Sequence, residues 1–169
     1  KIGFSVKRTM VIAQQLYEGN FDIPDYSGGL ITYMRTDSVV LAKQALTQAQ
    51  EVITSEYGTK FGLKEPRIFK NRAVNAQEAH EAIRPAGAKF IHPDSIKSKI
   101  EKREYELYKL IWSRTVACQM KSAKLLTTQI HISNNNFIFM TKGKSIQFDG
   151  YYKVYQDSSK DGEDIILPK

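Results

Sequence analysis

Tyr33 and Arg35 stand two residues apart in Gly29-Leu30-Ile31-Thr32-Tyr33-Met34-Arg35-Thr36-Asp37-Ser38, directly ahead of a stretch with helical periodicity. A phenol beside a guanidinium at a helix start would put a nucleophile inside a phosphate site, because the helix dipole and the guanidinium both favour an anion. The same spacing also fits a buried Tyr33 with Arg35 on the surface. A second run, Asn75-Ala76-Gln77-Glu78-Ala79-His80-Glu81-Ala82-Ile83-Arg84-Pro85, carries His80 and Arg84 four apart. On a helix the two would share a face. One could then hydrogen-bond or protonate a leaving oxygen while the other gripped phosphate bidentately. A capped helix with one exposed histidine satisfies that spacing too.

Three other runs imitate known sites and fail on chemistry. Gly143-Lys144-Ser145 lacks the glycine five residues earlier that a nucleotide-binding loop needs, since Ile138 stands there, and a strand rather than a helix follows. His80-Glu81-Ala82-Ile83-Arg84 has an arginine where a zinc-protease helix needs its second histidine. Asp161-Gly162-Glu163-Asp164 is too poor in ligands for a calcium loop and reads as a solvated linker. No ATP and no metal site is therefore expected in this chain.

The elements that must position Tyr33 and His80 are mostly helical. The spacing predicts a first helix that buries Val6, Met10, Ala13 and Tyr17, with Ser5 as N-cap and Gly19 as its stop. A loop through Asn20–Gly29 follows. A second helix carries the stripe Ala42, Ala45, Leu46, Ala49, Val52 and Ile53, capped by Asp37 or Ser38 and ended by Gly58. Residues 59–75 read as irregular, and Asn75–Ile83 as a short helix. A long helix from Lys102 to Met120 has Tyr105, Tyr108, Ile111, Trp112, Thr115 and Val116 on one side. Leu107, Leu110 and Ala117 add a second apolar stripe, so most of its circumference should be buried.

After Ser122 the period changes to two. Leu126, Thr128, Ile130 and Ile132 predict a half-buried strand, and Ser133–Asn136 a turn. Phe137–Thr141, Ser145–Phe148 and Tyr151–Tyr155 read as further short strands. Ile165-Ile166-Leu167 lack an evident partner. The fold class is thus mainly α with a smaller antiparallel β portion, divided as 1–122 and 123–169, the second part incomplete.

The chain has 169 residues, and its 25 Lys+Arg against 18 Asp+Glu give a net charge of +7. Residues 1–122 hold 19 basic and 13 acidic side chains (+6), and residues 123–169 hold 6 and 5 (+1). A polyanion such as DNA or RNA is the physical partner for that helical part. Charge alone leaves a merely solvated basic surface open. A single cysteine, Cys118, excludes a disulfide framework and a thiolate zinc site within the chain. No apolar run is long enough for a spanning helix. The sequence starts at Lys1 without an initiator Met or a signal peptide, and we read it as cut from a longer polypeptide.

Taken together, the two chemistry-bearing runs resemble one family. Leu30–Ser38 (LITYMRTDS) resembles the active-site tyrosine motif of type IA DNA topoisomerases, and Ala76–Pro85 (AQEAHEAIRP) resembles their second signature. Phe4–Met10 and Ala13–Gly19 are similar to the helix preceding the tyrosine motif. Tyr108–Trp112 and, more loosely, Phe148–Tyr155 also match, in the family's order along most of the chain. The bacterial topoisomerase I branch is the nearest.

The resemblance implies that Tyr33 attacks a phosphodiester of single-stranded DNA, forming a 5′-phosphotyrosine and releasing a 3′-hydroxyl. The covalent bond stores the energy for resealing, so no ATP is needed. A free phenol has a pKa of about 10 and is ionised to roughly one part in a thousand at neutral pH, so this chemistry requires positive charge or a base nearby. By the same resemblance Arg35 contacts the scissile phosphate and His80 supplies hydrogen bonding or charge beside it. Asp37 either orients Arg35 or caps the helix. The candidate DNA contacts are Arg35, Arg84, Lys7 and Arg8.

Magnesium in the family is held by the acidic cluster of a toprim domain, for which this chain has no counterpart. Its ligands are expected outside the chain. The implied whole is a bacterial, cytoplasmic, nucleoid-associated enzyme that relaxes negatively supercoiled DNA. Residues 1–122 would be its tyrosine-bearing domain and 123–169 part of its gate, working with the remaining domains of the same polypeptide. The piece alone is expected to be incompetent. A non-catalytic single-stranded DNA-binding module is the alternative, supported by the basic helices and by aromatic side chains available for stacking.

Overall fold

In the computed structural model, residues 2–19, 21–70 and 80–155 are described, together with the backbone of 165–166. The chain divides into two compact units, Lys1–Met120 and Lys121–Lys169. The mainly α class with a smaller antiparallel β portion holds.

Helix α1 (Val6–Glu18) begins where Ser5 predicts it, the Arg8 amide donating to the Ser5 hydroxyl at 3.3 Å. It ends at Gly19, whose φ of 65° is left-handed and suits glycine. Its buried face differs from the expected one. Ile12, Ala13 and Leu16 face inward, while Val6 is 82% exposed and Met10 and Tyr17 are little more than a third exposed rather than buried. Two apolar stripes at helical spacing share Ala13, and packing against α4 (Lys102–Cys118) selects the one with the branched side chains.

Helix α2 (Lys43–Val52) buries Ala45, Leu46 and Ala49 and runs into a π-helical turn, Ile53–Tyr57, before Gly58. The expected cap is replaced. Residues 37–42 lack helix, Ala42 occupies the cap position without a side-chain bond, and the hydroxyls of Thr36 and Ser38 accept from the amides of Ser38 and Val40 instead. Helix α4 opens with a reciprocal capping box between Glu101 and Glu104 and buries both predicted stripes, with Tyr105, Tyr108, Trp112 and Val116 on one and Leu107 and Ala117 on the other. A one-turn helix, α3 (Pro93–Ile96), went unforeseen. It follows a segment that Tyr108 fixes by donating to the Ile91 carbonyl at 2.7 Å. The stretch expected to be irregular opens with a 3-10 turn, Thr59–Phe61, and farther on Arg67 donates to the carbonyl of Cys118 at 2.8 Å, placing a cation on the negative end of α4. Of the helix expected over Asn75–Ile83, residues 75–79 lie outside the described residues. His80–Ile83 are not helical, so His80 and Arg84 do not share a helix face.

The second unit is a hairpin. Strands β1 (Lys124–Asn134) and β2 (Phe137–Phe148) pair antiparallel around a turn in which Asn135 adopts φ 50°. Phe137–Thr141 and Ser145–Phe148 are thus one strand rather than two, because Gly143 pairs with Thr128 in register. Tyr151–Tyr155 is not a strand: Gly150–Lys153 form a 3-10 turn. Ile165 and Ile166, which had no evident partner, form β3, parallel to β2 at Gly143 and Lys144. The half-buried strand was also mistaken, since β1 is exposed along its whole length. The register joins Leu126, Ile130 and Ile132 with Phe139 and Phe137 on one exposed apolar face.

The revised α1 face makes a direct prediction. Leu16→Ala should cost about 2–5 kcal/mol in urea unfolding, whereas Val6→Ala should stay within about 0.5 kcal/mol. Equal costs would restore the Val6 stripe.

Candidate active site

The two chemistry-bearing runs are fastened to each other through their backbones. Ile31 and Pro85 form an isolated antiparallel bridge, with the Thr32 amide donating to Arg84 O and the Ala86 amide to Leu30 O, each at 2.9 Å. The Thr32 hydroxyl donates to Ala82 O at 2.9 Å and accepts from the Arg84 amide at 3.0 Å. Farther along, the Ala82 amide donates to Val40 O at 2.8 Å. Leu30, Ile31 and Met34 anchor the first run by burial, so the intervening Tyr33 is left half-buried at the rim.

Glycine lets α1 approach this pair of runs. A Cβ on Gly29 would collide with the Tyr17 carbonyl, and the Leu30 amide donates to Leu16 O at 2.7 Å. Tyr26 holds the same turn by donating its phenol to Gly29 O. Burial pushes the Tyr26 phenol above its ordinary range, which preserves it as a donor.

Tyr33 therefore has two rings as neighbours. Its centroid is 5.0 Å from that of His80, tilted by 37°, and 5.4 Å from that of Tyr17, edge-on at 70°. These three rings, with Gly29, Ile31, Thr32, Glu81 and Ala86, line a pocket of about 420 Å³. His80 is exposed. Sequence reasoning brought Tyr33 and His80 together only through the resemblance, and the structure brings their rings into contact. Tyr17 was missed as a site residue, having been assigned to the core by its spacing.

The other predicted residues fall elsewhere. Arg35 and Asp37 are exposed, and among the described residues no ion pair joins them. Arg84, expected to grip phosphate, is 8% exposed and turned inward. Its guanidinium donates to Glu81 at 2.9 and 2.7 Å and to Pro85 O at 2.8 Å. Glu81 in turn accepts from the Ala42 amide at 3.2 Å, which places a carboxylate at the start of α2. Lys7 and Arg8 are exposed on the first turn of α1, roughly 15 Å along the helix from Tyr17. Among the described residues no group of three or more His, Cys, Asp or Glu could hold a metal.

The sequence matches the profile of a family described as DNA topoisomerase over residues 1–169. A Rickettsia felis protein named DNA topoisomerase 1 is 48% identical, the alignment covering 99% of this chain and 22% of that protein. The Campylobacter jejuni protein of the same name is 42% identical, with coverages of 99% and 23%. The solved structure of full-length topoisomerase I from Thermotoga maritima superposes with a TM-score of 0.77 at 33% identity, covering 100% of this chain and 26% of that one. The chain thus spans under a quarter of the length of these two curated relatives.

Glu81→Gln leaves the buried Arg84 guanidinium without its anion. Because Glu81 is itself 29% exposed, the expected cost is about 1–3 kcal/mol in urea unfolding rather than the full penalty of a broken buried pair. A neutral result would mean that Arg84 finds water or another acceptor.

Proposed function

The chain belongs to the type IA DNA topoisomerase family, in its bacterial topoisomerase I branch, and on that premise we propose that Tyr33 is the nucleophile of a DNA strand-breaking and rejoining enzyme. The phenolic oxygen attacks a phosphodiester of single-stranded DNA. An O–P bond forms to Tyr33 as the P–O3′ bond breaks. The phenol gives up its proton and the departing 3′-oxygen gains one. Reversal reseals the strand, and the phosphotyrosine conserves the bond energy, so ATP has no role.

The observation that carries this reading is the ring contact between Tyr33 and His80 on an open pocket. It sets a nucleophile beside a group able to donate to a phosphate or leaving oxygen. Arg35, exposed two residues on, is free to close on a bound phosphate and stabilise charge developing in the transition state. Lys7 and Arg8 extend the positive surface along α1 for flanking phosphates. Arg84 acts as a structural cation in this scheme, neutralised by Glu81.

Magnesium, which the family implies, does not fit the described residues, which lack a cluster of three or more ligating side chains. Its ligands are proposed to lie in another part of the complete polypeptide. Residues 1–122 would then serve as the tyrosine-bearing domain and 123–169 as part of the gate, in a nucleoid-associated bacterial enzyme that relaxes negatively supercoiled DNA. The chain by itself would bind single strands without turnover.

The complete polypeptide, assayed with magnesium on negatively supercoiled plasmid, should relax it and yield a covalent protein–DNA adduct on denaturation. Tyr33→Phe should abolish both, and Arg35→Ala should slow cleavage by roughly 10²- to 10³-fold. An adduct formed by Tyr33→Phe would remove Tyr33 as nucleophile. The non-catalytic reading predicts salt-sensitive binding of single strands with no adduct from any variant.

A further inference from the structure

We infer that Tyr17 is a positioning residue for the nucleophile: its T-shaped ring contact fixes the orientation in which Tyr33 meets His80 beside the pocket. The inference rests on the proposed role of Tyr33 and adds a residue from a different element.

Tyr17 is not needed by the core. The inward face of α1 is Ile12, Ala13 and Leu16, and Tyr17 is 39% exposed on the last turn. Its ring nonetheless meets Tyr33 edge-on at 5.4 Å, a geometry that aromatic quadrupoles favour. The backbone beneath it is fixed from two sides. Its carbonyl abuts Gly29 where no Cβ fits, and the neighbouring Leu16 carbonyl accepts from Leu30. Tyr17 is therefore tied to the run that carries Tyr33, and the two rings keep their relation as long as that run stays in place.

His80 also meets the Tyr33 ring, tilted, at 5.0 Å. With only His80 present, a half-buried phenol on a run without helix or strand could swing away from that ring. With Tyr17 present, the Tyr33 ring is held by two aromatic neighbours, and all three rings line the same pocket. Holding a nucleophile in one orientation before substrate arrives raises the rate of the chemical step without adding affinity.

The ring, not the hydroxyl, performs this task, which separates Tyr17→Phe from Tyr17→Leu. In the chain labelled with 3-fluorotyrosine, the Tyr33 resonance is identified by its loss in Tyr33→Phe. That resonance should move in Tyr17→Leu and hold its place in Tyr17→Phe. In the complete polypeptide, single-turnover cleavage of a single-stranded oligonucleotide should slow roughly 2- to 10-fold in Tyr17→Leu at unchanged Kd, with Tyr17→Phe near the parent rate. Circular dichroism checks that Tyr17→Leu keeps its helices, and Tyr17→Gln, which also suits a helix, repeats the test if it does not.

An unmoved Tyr33 resonance, or parent cleavage rates in folded Tyr17→Leu, would overturn the inference. Equal losses in the Phe and Leu variants would overturn it too, by assigning the effect to the hydroxyl. The resonance is read without cleavage, so a failed nucleophile assignment and a failed positioning role give different results.

Discussion

Thr32 and Arg84 lie fifty-two residues apart and are joined by two hydrogen bonds, one from each backbone amide, that use the Arg84 carbonyl and the Thr32 hydroxyl as acceptors. Among the described residues neither Leu30–Ser38 nor His80–Pro85 is a helix or an extended strand, so neither has regular structure of its own to hold it. The threonine hydroxyl substitutes for a missing ladder partner, donating to Ala82 while accepting from Arg84. Closing so long a loop costs entropy that local bonds must recover. Burial of Leu30, Ile31 and Pro85, each close to fully enclosed, supplies the hydrophobic part of that recovery. Tyr33 and His80 inherit their positions from this junction.

The tyrosines of the helical unit divide according to what surrounds them. Tyr108 and Tyr26 have phenols pushed upward by burial and spend them as donors to main-chain carbonyls. They are fasteners. Tyr33 differs in having two rings as neighbours and an open pocket in front. Arginines divide similarly. Arg67 and Arg84 are committed to carbonyls and to Glu81, and Arg35 faces solvent. The +7 net charge is thus a poor guide to where an anion would bind, because part of it is used to hold loops onto α4 and α2.

Much of this was legible in the residues. The capping serine of α1, the glycine stops after α1 and α2 and both apolar stripes of α4 follow from local rules and hold. What failed depended on distant partners. The α1 stripe was ambiguous between two faces until α4 chose one. The start of α2 is met by Glu81 from thirty-nine residues away instead of Asp37 or Ser38, and spacing carries no trace of such a partner. His80 and Arg84 looked like helix neighbours because four residues separate them. A bridge between Ile31 and Pro85 draws the chain straight there, turning Arg84 inward and leaving His80 beside Tyr33. In the second unit the alternating pattern was right about strand and wrong about burial, since alternation marks one apolar face and not what covers it.

This junction presents Tyr33 and His80 to each other before any DNA is present. Two-dimensional NMR of the chain in solution without DNA tests it most directly. With ring centroids 5.0 Å apart, nuclear Overhauser cross-peaks are predicted between the Tyr33 ring protons and the imidazole protons of His80. A folded chain with sharp, assigned resonances for both rings and no such cross-peaks would mean that the two rings are not in contact without DNA.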